Sequence, residues 1–525
     1  MNSDEITVIV VVCFYFAVAI LIGLHYYKKS ESISDYILGG RSLNPYVTAL
    51  SAQASDMSGW LLMGLPGSIY LAGMGKLWLG IGLCIGSYFS WVIIAKRLRI
   101  YTERSGDSLT LSEFFSNRFR DDNRGINLRN VSAVIILVFF TVYVTSGFVG
   151  AGNVFRMIIP DIDYVPAMLI GAVVVIAYTS LGGFKAVSWT DVIQGMLMVF
   201  AVVFVALVAL DELGGWSDMS RTLEGMSNVP DHFLDIFYSG GEPITAVVLI
   251  SCLVWGLGYF GMPHVIVRYT AIRDPDDLRI SRRVGVVWTA VCLLFTTLMA
   301  IFGRAYFGET LLENPENVFI ELAGNLLPAA IAAIVYSALL AAIMSTADSQ
   351  LLVASSAVCN DLYRSFTKGE ISERKLMNLA RLVVVLIATI GAVLALDSDG
   401  AIMQLVSYAW AGFGAAFGPA VLLSLLWRRT TGRGVFAGMV IGFATVILWN
   451  TFLVAGGIIA GGGWCIYDTG LYELAPAFLF SFVATVLVSL ADNEPSEEIA
   501  AEFDKVQEAC RRKPVSSHRP FAKRR

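Results

Sequence analysis

Charged residues are scarce in this chain of 525 residues. Asp, Glu, Lys and Arg together make up 15% of the sequence, whereas apolar and aromatic residues make up 56%. Because a soluble domain carries about 25% charged residues, the composition excludes an ordinary soluble protein. It predicts one integral membrane bundle, to which the usual estimate of domain number from length does not apply.

The chain also lacks the patterns of several functional classes. Its seven cysteines contain no Cys-x-x-Cys pair and its four histidines form no cluster, which excludes a disulfide framework and a zinc site. It contains no Ser/His/Asp set, metal motif or phosphate-binding loop, so we do not expect an enzyme. We also expect no nucleic acid and no obligate protein partner. The first apolar run lacks a basic segment and a small-residue cleavage site, and we expect it to be retained as a helix.

Thirteen segments are long and apolar enough to cross a membrane, which takes about twenty residues in a helix. They lie near residues 6–27, 45–70, 74–95, 131–155, 164–182, 187–210, 243–267, 284–307, 326–357, 378–396, 400–427, 434–455 and 473–491. The second and ninth are long for one crossing, so they must tilt or break. The predicted fold is an all-α integral membrane protein of about thirteen transmembrane helices over residues 1–491. A tail follows over residues 492–525, with a short helix near 496–510.

Basic residues alternate between the loops. All but four of the 37 Lys and Arg residues lie in one set of alternate loops, and the other set holds Lys76, Arg156, Arg221 and Arg304. Since basic loops stay in the cytoplasm, we predict a multi-pass protein of the cell inner (plasma) membrane with its N-terminus outside and its C-terminus in the cytoplasm. The basic end of the tail is expected to contact anionic membrane lipid. The spans expected to line the cavity contain no Arg or Lys, which disfavours a strongly anionic solute.

The second segment contains an acid and a glycine where a continuous helix would otherwise run. Residues 55–60 have the sequence SDMSGW. An aspartate at membrane depth costs about 3 kcal/mol on insertion scales, and the nearby Gly59 favours unwinding. Unwound backbone at this depth is tolerated only where it lines a cavity or a site. One interpretation is a helix end at the interface, with Asp56 reaching water; the interpretation we favour is an ion and solute site at a broken helix.

The seventh segment contains a second predicted break. Residues 255–264, WGLGYFGMPH, place three glycines and a proline close together, which does not favour a straight helix. Close packing of helices would explain the glycines, but not the proline or the aromatic residues Trp255, Tyr259 and Phe260. Aromatic walls beside free backbone form a cradle for a small, partly apolar solute.

The two breaks lie five spans apart. This spacing predicts a core of two five-helix repeats, spans 2–6 and 7–11, and an odd number of helices per repeat places the repeats in opposite orientations. Interrupted helices at matching positions of inverted repeats are the best sequence indication of a transporter's binding site. The two halves share no residue-level similarity, so this prediction rests on topology.

The ninth segment carries oxygen atoms on one face. Ala342, Ser345 and Thr346 stand at positions i, i+3 and i+4 and share one side of a helix. Two hydroxyls and a carbonyl are hard ligands of the kind that Na⁺ needs, and the first break can add carbonyls near Ala54 and Met57. Taken alone, Ser and Thr in a membrane helix usually bond the carbonyl four residues earlier.

Five motifs resemble the sodium:solute symporter family. They are SDMSGW at 55–60, GGFKAVSWTD at 182–191, WGLGYFG at 255–261, AIMST at 342–346 and SYAWAGFG at 407–414. Together they are specific, and the resemblance extends from the first span to the thirteenth, leaving out only the tail. It implies thirteen helices built around two inverted five-helix repeats.

The resemblance also implies the residues of a site. A sodium site would consist of the backbone carbonyls of Ala54, Met57 and Ala342 and the hydroxyls of Ser345 and Thr346. The family's required aspartate matches Asp56, which would support sodium binding from beside these ligands. The positions that would bind solute are Tyr143, Trp255, Tyr259 and Pro263, with Ser58 and Gly59 facing the same cavity.

Three residues of this region need separate interpretation. Met262, a further solute-binding candidate, stands where proline-carrying members of the family have glutamine, so the solute would be held differently. Asp348 is an extra acid just after the hydroxyls of the ninth span. Asp191 matches an acid that some members use near a second sodium site. In this chain the sequence leaves three roles for Asp191: it binds a second ion, it pairs with Lys185, or it caps a helix.

The function expected from the resemblance is secondary active import, with Na⁺ as the coupling ion. The expected solute is a small amino acid, with L-proline as the leading candidate. The same scaffold could carry another amino acid, a carboxylate, a sugar or pantothenate. The chain could instead couple transport to protons through Asp56 or Asp191, or act as a solute sensor. The expected partners are the small-molecule solute and membrane lipid.

Overall fold

The fold is a bundle of helices. The computed structural model describes residues 3–27, 32–121, 127–159, 161–367, 372–396, 402–455, 458 and 464–512. The first helices are α1 (Ser3–Tyr27), α2 (Ile33–Leu38), α3 (Pro45–Ala54), α4 (Leu65–Ala72), α5 (Leu77–Ser90), α6 (Lys96–Arg104), α7 (Leu111–Phe119), α8 (Leu128–Ile158), α9 (Tyr164–Glu212) and α10 (Trp216–Glu224). After these come α11 (Ala246–Leu253), α12 (Pro263–Ala271), α13 (Leu278–Phe307), α14 (Val318–Leu326), α15 (Ala329–Ser356), α16 (Arg364–Phe366), α17 (Glu373–Ala395), α18 (Ile402–Leu426), α19 (Gly432–Phe452), α20 (Leu474–Ala491) and α21 (Glu497–Arg511).

Shorter segments connect several of these helices. The 3-10 segments are Gly39–Arg41, Met74–Lys76, Val254–Phe260, Pro275–Asp277 and Pro315–Asn317, and the π-helical segments are Trp60–Gly64, Trp91–Ala95 and Ala357–Tyr363. Strands β1 (Tyr238–Ser239) and β2 (Glu242–Pro243) pair antiparallel between α10 and α11. The all-α prediction is therefore confirmed apart from this small hairpin, which the sequence analysis did not predict.

The number of membrane spans is less well defined than the helical class. Among the described residues, ten helices are long and apolar enough to cross a membrane, and a bent pair of shorter helices makes eleven. Two shorter apolar helices, Trp60–Ala72 and Tyr164–Ala177, fall below that length. Each of the thirteen predicted segments contains helix, but thirteen crossings stay a prediction. The helix predicted near 496–510 is confirmed as α21.

The second span is broken where the sequence predicts it. Helix α3 ends at Ala54, and the amide of Ser58 then donates to the carbonyl of Asp56 at 2.9 Å instead of to a carbonyl one helical turn earlier. A π-helical turn, Trp60–Gly64, follows, and α4 begins at Leu65. The residues of this stretch are all buried, as a site inside the membrane requires.

The seventh span contains the second predicted break. The 3-10 segment Val254–Phe260 separates α11 from α12, and the two parts of the span meet at 43°. Helix α12 begins at Pro263, where a missing N–H costs nothing. A Cβ atom on Gly86 of α5 would lie 2.1 Å from the carbonyl oxygen of Gly256. The glycines of this span therefore allow close packing against α5 and also allow the helix to unwind.

The predicted fifth and sixth spans are joined in one long element, α9. Gly183 interrupts its helical backbone with φ +62° and ψ −173°, a conformation that side chains with a Cβ atom disfavour. A Cβ atom there would also lie 2.9 Å from the ring of Tyr36. Gly183 therefore marks the boundary that the sequence analysis placed between residues 182 and 187.

Candidate functional site

The predicted sodium ligands on the ninth span lie against the first break. Ala342, Ser345 and Thr346 are all buried in α15. The hydroxyl of Ser345 donates to the carbonyl of Ala54, the last residue of α3, at 2.8 Å, and lies 3.1 Å from the carbonyl oxygen of Ala342. Met57, fully buried, follows in the break. The structure thus brings together oxygen atoms from two spans that lie 291 residues apart.

Thr346 provides the test of whether these residues fit a cation. Its hydroxyl is buried and has no hydrogen-bond partner among the described residues. Other hydroxyls of α15 follow the ordinary pattern of bonding the carbonyl four residues earlier: Ser337 bonds Ala333 at 2.8 Å and Ser349 bonds Ser345 at 2.7 Å. Because a buried polar atom without a partner is costly, the hydroxyl of Thr346 is suited to bind a cation, and the neutral oxygen set fits Na⁺.

Asp56 joins the two breaks. Its side chain is fully buried; one carboxylate oxygen accepts a hydrogen bond from the hydroxyl of Tyr259, in the second break, and the other has no described partner. Its carbonyl accepts from the indole N–H of Trp60 at 2.9 Å. The interpretation in which Asp56 reaches water at a helix end is therefore wrong, because the residue is enclosed between two interrupted helices.

Aromatic rings pack around Tyr259. Trp255 and Tyr259 are buried, and the rings of Trp60 and Trp255 lie 6.5 Å apart, centre to centre. Trp410 of α18 lies 5.1 Å from Tyr259, edge to face, and its indole N–H donates to the carbonyl of Trp255 at 2.8 Å. On α8, the buried hydroxyl of Tyr143 has no described partner. Trp255 and Tyr259 therefore form one aromatic wall with Trp60 and Trp410. Tyr143 contributes a buried hydroxyl from α8, where its ring lies 6.2 Å from that of His264.

The other predicted solute positions lie at the ends of the two breaks. Ser58 accepts weakly from the amide of Trp60 at 3.4 Å. A Cβ atom on Gly59 would meet the side chain of Ile343 at 3.4 Å, so little space is left on that side of the break. Met262 is fully buried and immediately precedes Pro263, the first residue of α12.

A buried arginine was missed by the sequence analysis. Arg268 lies in the last turn of α12, is fully buried, and pairs with Asp191 of α9 at 3.2 Å. Its Nε donates to the hydroxyl of Ser51 at 3.1 Å, and that hydroxyl donates to Asp191 at 2.6 Å. Arg268 directly follows the predicted seventh span, 243–267, and was assigned to a loop, but it is buried in the bundle, where Asp191 compensates its charge.

These contacts exclude two of the three roles expected for Asp191 and show where Asp348 lies. Lys185 pairs with Asp35 at 3.0 Å instead of with Asp191, and Asp191 lies well inside α9, so the ion pair with Lys185 and the helix cap are both wrong. A second ion at Asp191 stays a prediction. Asp348 is fully buried on α15. The hydroxyl of Ser349 lies 3.1 Å from a carboxylate oxygen of Asp348 and within hydrogen-bond distance of Arg268, so Ser349 links Asp348 to the guanidinium that pairs with Asp191.

Arg268→Gln is expected to destabilise the protein by about 3–5 kcal/mol, because it leaves Asp191 as a buried charge without its cation. The double variant Arg268→Gln with Asp191→Asn should recover much of that loss, since neither charge remains. The midpoint of thermal unfolding of detergent-purified protein measures both effects. Arg221→Gln, which breaks an exposed pair with Asp218, is the control and should leave the midpoint unchanged. Equal midpoints for the single and double variants would show that the pair carries no such energy.

Some residues of the site had a sequence signal and others had none. Trp60 and Trp410 stand inside two of the recognised motifs, although neither was singled out. Arg268 and Ser51 had no signal, because one stands at the end of a span and the other is a serine in an apolar segment. Only the packing of α3, α9 and α12 shows that they meet.

Comparisons with known proteins show which family the chain belongs to. The model of the sodium:solute symporter family matches residues 36–442. The chain is 42% identical to the osmoregulated proline transporter OpuE of Bacillus subtilis (strain 168), over 97% of this chain and 100% of that protein. It is also 42% identical to the sodium/proline symporter of Escherichia coli (strain K12), over 94% of this chain and 95% of the other.

Solved structures show the same fold at much lower identity. A Na⁺-coupled sialic acid symporter in a substrate-bound outward-open state has a TM-score of 0.77 at 17% identity, covering 94% of this chain and 99% of the other. Mhp1, a nucleobase-cation-symport-1 family transporter in a closed conformation, has a TM-score of 0.54 at 13% identity, covering 90% of this chain and 99% of that one. The match to the family model and the full-length relatives establish that the chain belongs to the sodium:solute symporter family.

Proposed function

We propose that this protein is a sodium-coupled symporter that imports a small amino acid across the inner (plasma) membrane, with L-proline as the leading candidate. One observation carries the proposal: the hydroxyl of Ser345 contacts the end of α3, next to the buried, unpartnered hydroxyl of Thr346, at the same break whose Asp56 accepts a hydrogen bond from Tyr259. A protein of this family transports solute and is not an enzyme. The names of the relatives support proline as the solute.

We propose that the first break binds the ion. Carbonyls of Ala54, Met57 and Ala342 and hydroxyls of Ser345 and Thr346 would hold Na⁺, with Asp56 supplying the compensating negative charge nearby. Sodium from outside would draw the break against α15, because a cation held by oxygen atoms from both segments favours the arrangement in which they are close together. The contact between Ser345 and Ala54 at 2.8 Å supports that arrangement.

We propose that the solute occupies the space between the breaks. The ring of proline would pack on Trp255 and Tyr259, and the freed backbone near Ser58 and Gly59 would receive its polar end. Tyr143 supplies a hydroxyl, and Met262 and Pro263 close the cavity at the start of α12. Since Asp56 contacts Tyr259, a change at the ion site is transmitted directly to the solute wall, and the two ligands favour each other reciprocally.

The orientation and the division of the chain belong to the same proposal. We place the N-terminus outside and the C-terminus in the cytoplasm, with a transport domain over residues 1–491 and a cytoplasmic tail over residues 492–525. Among the described helices, α21 is polar on one face and follows the last apolar helix, α20, which supports a tail outside the membrane. A second ion at Asp191 and a coupling role for Asp348 also stay part of this proposal.

Uptake of labelled proline into proteoliposomes containing the purified protein tests the proposal. We expect accumulation that requires an inward sodium gradient and that unlabelled proline competes away. Transport that tracks a pH gradient without sodium would favour proton coupling, and competition only by another amino acid, a carboxylate, a sugar or pantothenate would reassign the solute. Proline binding without any uptake would favour a sensor and contradict the proposal.

A further inference from the structure

The tail helix α21 is docked on the body of the protein. Its apolar face is buried, with Ile499, Phe503 and Val506 each no more than 5% exposed. The opposite face is charged, as in an amphipathic helix on a protein surface. A tail without a role in the folded protein would not need to bury three large apolar side chains.

A buried arginine ties this helix to two others. Arg118 of α7 is 1% exposed, and its guanidinium carbon lies 5.5 Å from the ring centre of Phe503 on α21. It also lies 5.0 Å from the ring of Tyr101 on α6 and 4.9 Å from that of Phe119. Its three nitrogens have no hydrogen-bond partner among the described residues. Aromatic faces therefore hold this charge, and removing Phe503 would uncover one side of it.

Ion pairs cross the same interface. Arg120, just after α7, contacts Glu498 at 3.3 Å and Glu502 at 3.2 Å, and Arg428, just after α18, contacts Asp504 at 3.2 Å. Burial alone would lower the pKa of Arg120, but its contacts with Glu498 and Glu502 outweigh burial and raise that pKa above its ordinary value. These pairs add to the apolar anchor and are the part of the contact that salt can screen.

The helix links the ends of two spans that line the second break. On one side, Arg104 of α6 donates to the carbonyl of Lys505 at 2.7 Å; on the other, Gln507 donates to the carbonyl of Leu425 in α18 at 2.7 Å. Helix α6 continues the span of α5, which packs on Gly256, and α18 carries Trp410, which bonds the carbonyl of Trp255. Movement of either span relative to the other must therefore stretch or break the contacts of α21.

We propose that α21 is a clamp on the cytoplasmic face that slows inward opening and is released as ionic strength rises. The assignment of its face and its effect on transport rest on the proposed function, whereas its release by salt does not. Glu498, Arg428 and Asp504 are 75%, 60% and 56% exposed, so salt weakens the pairs they form. Glu502 is only 17% exposed, so its pair with Arg120 is screened less. The clamp therefore makes the transporter faster when the cytoplasm becomes more concentrated.

Hydrogen exchange of the whole, unmodified protein tests the release. Between about 0.05 and about 0.5 M KCl the screening length falls from about 14 to about 4 Å. Over this range we expect exchange in residues 497–511 to rise at least about threefold, relative to helix α10 as an internal reference, because more of the ensemble has opened locally. Equal changes in α10 and α21, or no change in α21, would overturn the proposal without bearing on what the protein transports.

A charge variant tests the effect on transport. Glu498→Gln, Glu502→Gln and Asp504→Asn together remove the crossing pairs. We expect this variant to turn over about two- to fivefold faster than the unmodified protein at low internal salt and to have lost the response to salt. The matched control is Glu508→Gln, whose pair with Arg512 lies within the tail segment itself; it should behave like the unmodified protein.

Slower transport together with a lower unfolding temperature would show that α21 is only a structural cap. Absence of uptake in the unmodified protein would contradict the proposed function. The hydrogen-exchange measurement would then decide by itself whether salt releases α21.

Discussion

Thr346→Val is expected to raise the sodium concentration needed for half-maximal uptake by about 10- to 150-fold, with little change in the amount of folded protein. The substitution keeps the shape of the side chain and removes a buried hydroxyl that has no described hydrogen-bond partner. An oxygen that contacts a charge contributes about 1.5–3 kcal/mol, and each 1.4 kcal/mol is a factor of ten in affinity. Since no protein hydrogen bond is lost among the described residues, stability should be retained.

The measurement is sodium-dependent proline uptake in proteoliposomes, with the sodium concentration varied at saturating proline. Thr297→Val is the matched control, because the hydroxyl of Thr297 is also buried but bonds the carbonyl of Leu293 at 2.8 Å. Ser345→Ala should act in the same direction as Thr346→Val, and Ser337→Ala, on the same helix, should not. If Thr346→Val and Thr297→Val required the same sodium concentration, Thr346 would not be a ligand.

Asp56→Asn is expected to abolish sodium-driven uptake at ordinary sodium concentrations. The substitution preserves size and removes the negative charge from the break, where charges about 4 Å apart interact by about 4 kcal/mol at an effective dielectric constant of about 20. The loss of sodium affinity should therefore reach about 10²- to 10³-fold. Asn can still accept a hydrogen bond from Tyr259, so the link between the breaks is kept while the charge is lost.

Sodium-dependent proline binding and uptake together separate the two roles of Asp56. Tyr259→Phe keeps the charge and removes the donated hydroxyl, so we expect it to weaken the coupling between sodium and proline while sodium still binds. Glu473→Gln is the control for removing a buried acid as such: Glu473 accepts from Asn450 at 3.3 Å and is not among the residues proposed to hold sodium. Unchanged sodium dependence in Asp56→Asn would remove Asp56 from the ion site.

Local sequence was enough to locate the breaks and one face of the proposed ion site. An acid and a glycine at 55–60, and three glycines with a proline at 255–264, disrupt a helix wherever it packs, so their effect on the backbone is decided locally. The spacing of Ala342, Ser345 and Thr346 likewise fixes a common helix face before any folding. Assigning these features to sodium and solute was a further step, which the resemblance supplied and which stays a proposal.

The contacts that connect these features could not be predicted from the sequence. Tyr259 reaches Asp56 across 203 residues, and Arg268 reaches Asp191 across 77. No periodicity encodes such a pairing, because it depends on how separate helices are placed against each other. Counted by position, Arg268 belongs to a basic loop, and only its contact with the buried Asp191 on another helix makes it part of the protein interior.

The sequence by itself therefore determined the membrane class, the interrupted second and seventh spans and the oxygen-bearing face of α15, since each follows from composition or from neighbours along one helix. The tertiary structure alone decided that Asp56 bonds the aromatic wall, that the hydroxyl of Thr346 has no partner among the described residues, and that α21 folds back onto α6, α7 and α18. These outcomes follow from packing between distant segments, where burial makes every unpaired polar group costly and so selects which groups meet.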